Sequence, residues 1–328
     1  MKLATLRTEH PDGRLVVVSR DLSRMADAAA IAPHLRAAIE AWDTAAPALQ
    51  ALYAELNAGR HGGAQAFDSL LCAAPLPRAP QWCDGSAFLN HGRLMEKAFN
   101  IEPAPDAQSV PLMYQGASDD FLGPHADVPL PSEADGIDFE GEFGVIVGPV
   151  PMAVAPAEAL AAVRLLVQIN DWSLRTLGPR EMRSGFGFLQ AKPSSSFAPI
   201  ALTPDELGPA WRDGRVHLRL QVQWNGAHFG APHGGEMDFG FGELIAHAAR
   251  TRRLSAGTVI GSGTVSNIDR AAGSACIAER RVLEILDHGA PRTAFMRFGD
   301  SVQMQAQCEG SGETPFGRIA QRVVQARP

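Results

Sequence analysis

Residues Ile137–Gly148, IDFEGEFGVIVG, set two glutamates two positions apart in an apolar run that reads as a β-strand. Strand side chains alternate faces with period two. Glu140 and Glu142 therefore point one way, and Phe139, Phe143, Val145 and Val147 the other. Like charges side by side repel, and burying them without partners costs several kcal/mol each. Three arrangements relieve the pair: a solvated strand face, a bond to arginine, or a divalent cation between the carboxylates. Hard cations such as Mg²⁺, Mn²⁺ or Ca²⁺ take oxygen ligands, usually carboxylates plus water. Two further carboxylates stand where such an ion could use them. Asp171 closes the apolar run RLLVQIND, and Asp84 follows a Pro-rich stretch in QWCDGSAFLNHG. An E-x-E alone is weakly diagnostic; followed by Asn170-Asp171-Trp172-Ser173 it points to the cation.

The elements that must carry these groups are traced by pattern. MKLATLR and GRLVVVS, joined by the turn signal HPDG, read as a β-hairpin. Asp27–Asn57 is rich in Ala and Leu at helical spacing and reads as two helices split near Thr44. LCAAPLPRAPQWCD is Pro-rich and extended, which places a boundary near Pro80, with a small N-terminal domain over residues 1–79 and the main domain over 80–328. Beyond it, FGVIVG, RLLVQINDW, HLRLQVQWNG, GTVIGSGTVSN, RVLEILDHG and RFGDSVQMQA read as short strands. The Asn-Gly of QWNGAHFG signals a hairpin. APAEALAAVRLL and FGELIAHAARTRRLSAG read as helices, the second ending at Gly257 as a C-cap. The expected class is mostly β with α, an α+β fold rich in turns.

Composition narrows the function. A chain of 328 residues with 45% hydrophobic and 20% charged residues can bury a sizeable core. Its net charge of -7 argues against a nucleic-acid binder, which needs excess Lys and Arg. Cys72, Cys83, Cys276 and Cys308 are widely spaced without a CxxC, as expected of reduced thiols in a cytoplasmic protein. No apolar run is long enough to span a membrane.

DFEGEFGVIVG, INDWSLR, AKPSSSF and GSGTVSN together resemble the fumarylacetoacetate hydrolase family, over roughly Trp82–Gln307. The resemblance implies a mixed β-sheet roll with peripheral helices behind a small α/β N-terminal domain, and a homodimer. It implies one divalent cation per subunit, Mg²⁺ or Ca²⁺ with Mn²⁺ as an alternative, held by Asp84, Glu140, Glu142 and Asp171. His91, seven residues after Asp84, corresponds to the family's catalytic histidine; Lys192 corresponds to its active-site lysine, and Glu279 to the carboxylate that orients the histidine. Tyr114 in PLMYQGAS, Thr264 in GSGTVSN and Ser86 fall at substrate-side positions. The chain departs from the family's prototypes at Ser86, where they carry Tyr, at Asn100, where they carry Arg, and at Gly178 and Met182, where they carry Gln and Tyr. Taken singly, each residue has a plainer reading: Lys192 as a loop lysine, Tyr114 as packing, and Glu279 as an ion-pair partner of Arg280 or Arg281.

These groups fit the hydrolysis of a C–C bond next to a carbonyl. A 1,3-dicarbonyl acid chelates a divalent ion, which polarises its carbonyl. Four carboxylates overcompensate one such ion, so a nearby cation is expected, and Lys192 can supply it. An imidazole of ordinary pKa near 6.5 suits a general base. The leading substrate implied is fumarylacetoacetate, in aromatic amino-acid breakdown. Acylpyruvate, oxaloacetate and 2-oxo-dienoate chemistry share the metal site. A non-catalytic metal-binding protein would have no need of His91 and Lys192.

Overall fold

The computed structural model describes residues 1–99, 102 and 105–327; Asn100 lies outside them. Among the described residues, seven α-helices are α1 (Leu35–Glu40), α2 (Trp42–Asn57), α3 (Leu89–Phe99), α4 (Pro156–Leu160), α5 (Gly178–Ser184), α6 (Phe241–Ala248) and α7 (Ile277–His288). Among the described residues, no helix is long and apolar enough to cross a membrane. All four cysteines are free.

The strands form two main sheets. The larger runs, edge to edge, through Gln65–Ala66, Arg24–Asp27, Arg14–Val18, Lys2–Leu6, Ala201–Leu202, Val163–Asn170, Gly141–Val147, Val259–Gly261, Trp82–Gly85 and Met113–Gly116. The smaller has five strands, in the order Ala227–Gly230, Arg219–Trp224, Ser301–Gln307, Ile319–Gln325 and Val128–Leu130. Alternation along Gly141–Val147 divides its apolar side chains between two cores. Phe143, Val145 and Val147 join Leu220, Val302 and Met304 of the smaller sheet. Ile146 instead joins Leu165, Val167 and Ile169 in the core that contains Leu35, Ile39, Leu49 and Tyr53 of α1 and α2. Burial on both faces explains why the central strands read as near-continuous apolar runs. It also means that any charge on them is taken out of water.

The N-terminal hairpin forms as its pattern indicates, with Lys2–Leu6 antiparallel to Arg14–Val18. So does the Asn-Gly hairpin, where Asn225 and Gly226 both have positive φ, at 50° and 77°, as a two-residue type I′ turn requires. Four assignments need correction. APAEALAAVRLL is helical only over Pro156–Leu160, and its VRLL end already belongs to the strand Val163–Asn170. The helices after Asp27 begin only at Leu35 and break at Ala41, not near Thr44. The helix from Phe241 stops at Ala248, well before Gly257, because Ala249 already caps it. RVLEILDHG is helical, not a strand: it is the second half of α7. Its Val, Ile and Leu residues carry a strand-like composition, but Gly289, left-handed with φ 79°, ends a helix. The start of α7 is fixed from a distance, since Asp138 accepts hydrogen bonds from the N–H groups of Ile277 (2.7 Å) and Ala278 (2.9 Å).

Asp12 and Arg78 tie the first hairpin's turn to the Pro-rich stretch, through hydrogen bonds of 2.9 Å and 2.7 Å. The Arg78 guanidinium holds the Asp12 carboxyl below its ordinary value of 3.8. The native state therefore binds this proton more weakly than the unfolded chain does. The pair's stabilisation is complete above about pH 4 and fades as pH falls through the lower native value. Asp12→Asn should lower the melting temperature at neutral pH, with the difference from wild type shrinking towards pH 3. A difference that stays constant with pH would detach the effect from this ion pair.

Candidate metal centre and catalytic cleft

Four neighbouring strands of the larger sheet deliver the acidic groups. Asp171 directly follows Val163–Asn170, Glu142 lies in Gly141–Val147, and Asp84 lies in Trp82–Gly85, beyond the intervening Val259–Gly261. Carboxylate oxygens of Asp84, Glu142 and Asp171 come within 4.8 Å of one another, and all three residues are buried. Gly261 makes this approach feasible. It pairs with Asp84 on one side and Gly144 on the other, and a Cβ at Gly261 would overlap the Asp84 carboxylate and the Trp82 ring.

Asp84 and Asp171 have donors. Asp84 Oδ1 accepts from the N–H of Gly263 (3.0 Å). Asp171 Oδ1 accepts from Ser195 (2.6 Å), and Oδ2 accepts from the Tyr114 hydroxyl (2.5 Å) and from Lys192 Nζ (2.6 Å). Glu142 has none: both of its oxygens are buried and meet no hydrogen-bond partner among the described residues. A bare carboxylate facing two others is a poor match for protein donors and a good one for a hard cation. Burial first, and then the charges of its neighbours, push the carboxyls of Asp84 and Glu142 well above the usual range.

Glu140 stands apart from this triad. It sits just before the strand, at a bridge to Cys276, and offers a carboxylate oxygen within 4.8 Å of ligand-type atoms of His91 and Cys276. Its carboxylate is paired with Lys192, with Arg175 at 2.5 Å, and with the Ser173 hydroxyl at 3.1 Å. Burial works against its charge, but Arg175 and Lys192 outweigh burial and hold its pKa below the carboxylate range. The E-x-E thus divides: Glu142 faces the other two acids without a donor, while Glu140 is bonded to arginine and lysine. Lys192, 9% exposed, bridges Glu140 and Asp171; those two acids overcome burial and raise its pKa.

The cleft's other side is built on helices. α3 carries His91, and α7 carries Glu279 at its N-terminal end. His91 Nδ1 lies 2.8 Å from Glu279 Oε2. With the carboxylate accepting from Nδ1–H, Nε2 keeps its lone pair and is free to take a proton. His91, Ser173, Arg175 and Lys192 line one chamber of about 820 Å³. Tyr114 closes on Asp171, with Phe188 edge-on to its ring at 5.2 Å. Ser86 and Thr264 flank Asp84 in sequence and in the Gly263 loop respectively; neither side chain hydrogen-bonds to the carboxylates among the described residues.

Sequence reasoning missed Arg175, Ser173, Ser195 and Asp138. Arg175, half-buried, is the second cation of the site, pairing with Asp138 (2.8 Å) as well as Glu140. A signal was present. Asp138, Glu140 and Glu142 repeat at period two, and so do Asp171, Ser173 and Arg175. The two runs lie antiparallel, with Ile169 opposite Glu142 and Ser173 opposite Asp138.

Comparison with known proteins agrees with this architecture. Residues 81–324 match the fumarylacetoacetate (FAA) hydrolase C-terminal family, and residues 1–78 match fumarylacetoacetase N-terminal domain 2. The chain belongs to the fumarylacetoacetate hydrolase family. A 2,4-didehydro-3-deoxy-L-rhamnonate hydrolase of Sphingomonas is 29% identical over 157 residues, 47% of this chain and 52% of that protein. A mitochondrial oxaloacetate tautomerase of Rattus norvegicus is 24% identical over 157 residues, 47% of this chain and 48% of its own. The matched segment thus spans about half the length of these curated relatives. The crystal structure of maleylpyruvate hydrolase from Sphingobium sp. SYK-6, in complex with manganese(II) and pyruvate, shares the fold, with a TM-score of 0.66, 17% identity and full coverage of both chains.

Three outcomes follow from the crowded carboxylates. Glu142→Gln should raise the melting temperature of the metal-free protein by several degrees at pH 8, because an amide removes a buried like charge. The sign follows from the raised carboxyl values: the native state binds these protons more tightly than the unfolded chain, so stability is lost as pH rises through them. The same variant should lose the thermal stabilisation given by millimolar Mn²⁺; a lower melting temperature with an unchanged Mn²⁺ response would contradict this. Gly261→Ala should weaken Mn²⁺ binding about tenfold or more by displacing Asp84, measured by calorimetry on folded protein. Unaltered affinity would free Asp84 from the ligand set.

Proposed function

We propose that this family member is a divalent-metal-dependent hydrolase that cleaves the C–C bond of a 1,3-diketo acid. The observation that carries this reading is the bare, fully buried Glu142 carboxylate facing Asp84 and Asp171, beside the His91–Glu279 pair. Asp84, Glu142 and Asp171 would hold the ion, with Glu140 beside them, charge-balanced by Lys192 and Arg175. The manganese in the maleylpyruvate hydrolase complex makes Mn²⁺ a suitable probe alongside Mg²⁺ and Ca²⁺. Bound there, the ion supplies Lewis-acid polarisation of a substrate oxygen.

The chain's own residues do the remaining work. His91 Nε2 removes a proton from water, and Glu279 stabilises the resulting imidazolium through Nδ1–H. The hydroxyl adds to the acyl carbon, the C–C bond breaks, and the departing carbon takes up a proton, so that one water is consumed per bond. Lys192 and the Tyr114 hydroxyl, both fixed on Asp171, place positive charge and a donor beside the oxygens that gain charge. Ser86 and Thr264 are assigned to substrate contact from their place around Asp84. Within the class, fumarylacetoacetate, acylpyruvates and oxaloacetate are the substrates to compare. The proposal includes a homodimer and the division of the chain into units 1–79 and 80–328.

Purified protein loaded with Mg²⁺ or Mn²⁺ should hydrolyse at least one of fumarylacetoacetate, acetylpyruvate and longer acylpyruvates. A second reading, tautomerase or decarboxylase action on oxaloacetate, is favoured by the oxaloacetate tautomerase among the relatives and is tested in the same panel. His91→Ala should lower kcat by about 10²–10⁴-fold and leave Mn²⁺ affinity near wild type. A near-normal kcat would remove His91 from the mechanism, and loss of metal binding would recast it as a ligand.

A further inference from the structure

Lysine is scarce in this chain: of its 29 Lys and Arg residues, three are lysines, Lys2, Lys97 and Lys192. Lys97 is exposed on α3, and Lys192 bridges the acids of the cleft. Lys2 is buried, at 5% exposure, and makes no ion pair among the described residues. It lies within the larger sheet, paired with Val18 on one side and Leu202 on the other. An ammonium has three N–H donors, and Lys2 Nζ meets one acceptor among the described residues, the Arg20 carbonyl at 2.5 Å. Glu206 attracts Lys2 but is already bonded to the Met1 amino group (3.0 Å) and the Tyr53 hydroxyl (2.8 Å). Burial outweighs Glu206 and the exposed Glu313 and lowers the Lys2 pKa. A buried ammonium without a paired counter-charge is relieved either by losing its proton or by a bound anion.

The surroundings favour the anion. Lys2 lines a pocket of about 700 Å³ between residues 19–24, the C-terminal end of α2 and residues 312–315. Two more cations border it. Arg24 is exposed and makes no ion pair among the described residues, and Arg20 comes only within 3.9 Å of Glu206. Two acids stand on the same walls. The Asp21 carboxylate is taken up by the hydroxyls of Ser19 (2.7 Å) and Ser23 (2.8 Å), and Glu313 is exposed on the opposite segment. The balance around the pocket is positive by one charge, with the most buried cation the least satisfied. This pocket shares no lining residue with the chamber of His91 and Lys192.

We propose that this pocket is a second ligand site, which takes a small organic oxyanion, a carboxylate or a phosphate, with its charged end on the Lys2 ammonium. Arg20 and Arg24 supply longer-range attraction from the rim. Asp21 and Glu313 disfavour a ligand with several negative charges, and Leu22, Leu56 and Pro315 leave room for a short carbon body. The site is independent of the hydrolase reading, because none of its groups belongs to the metal centre or the His91–Glu279 pair.

Calorimetry on the full-length, Mn²⁺-loaded protein tests it with three probes that share a hydroxylated three-carbon body: glycerol 3-phosphate, glycerate and neutral glycerol. At least one anion should bind and glycerol should not, and the tighter of the two anions separates phosphate from carboxylate. Lys2→Met should weaken that binding at least about tenfold, the worth of one charge-assisted hydrogen bond, while Mn²⁺ affinity stays at the wild-type value. Arg24→Gln, at an exposed position, should weaken it about two- to fivefold and serves if Lys2→Met fails to fold. Heat that survives unchanged in Lys2→Met comes from elsewhere, the metal centre included, and overturns the proposal. So does binding of neither anion, equal binding of glycerol, or, where Lys2→Met does not fold, full affinity in Arg24→Gln.

Discussion

Unpaired negative charge is the constraint around which the rest of the structure is arranged. Asp84, Asp138, Glu140, Glu142, Asp171 and Glu279 are all buried, and the permanent cations paired with them among the described residues are the buried Lys192 and the half-buried Arg175. Removing a carboxylate from water costs several kcal/mol, and only close opposite charge and hydrogen bonds repay it. The repayment is unequal. Glu140 and Asp138 are bonded to cations, Asp171 is fully engaged by Lys192, Tyr114 and Ser195, and Glu142 has no donor. The deficit is local: it lies on the side of Asp84, Glu142 and Asp171 and leaves Glu140 compensated.

The backbone that holds this charge has little freedom to relax it. Gly261 leaves room for Asp84 to reach across, and the strands on either side are filled on both faces by the two apolar cores. Asp138 links the two halves of the cleft. Its carboxylate receives Arg175 and also the first N–H groups of α7, the helix that presents Glu279 to His91. The acidic side and the imidazole side of the cleft are therefore both tied to Asp138, which belongs to neither the acidic triad nor the His91–Glu279 pair. Moving Asp138 would disturb both at once.

The sequence pattern reached the identities in this cleft more fully than their arrangement. Period two identified Glu140 and Glu142 as a pair, and the motifs DFEGEFGVIVG, INDWSLR, AKPSSSF and GSGTVSN brought the resemblance into view. The same rule places Asp138 in register with them, and Asp171, Ser173 and Arg175 on the facing run. The E-x-E left solvent, arginine and a metal open as partners for the pair, yet one glutamate has arginine and lysine while the other has neither. Nothing in local spacing separates these outcomes, because the partners come from residues 171–195, delivered by the antiparallel register. α7 was misread for a related reason. Its branched residues suit a strand, and the signals that make it a helix are a distant carboxylate at one end and Gly289 at the other. The central strands were readable because burial on both faces leaves a continuous apolar run.

Anomalous diffraction from crystals soaked in Mn²⁺ addresses the uneven charge most directly. A single strong peak per chain should appear in contact with carboxylate oxygens of Asp84, Glu142 and Asp171, with Lys192 still bridging Glu140 and Asp171. A peak that displaces Lys192 to take Glu140 in place of Glu142, or the absence of any peak at this site at millimolar Mn²⁺, would contradict the assignment of the deficit to the Glu142 side.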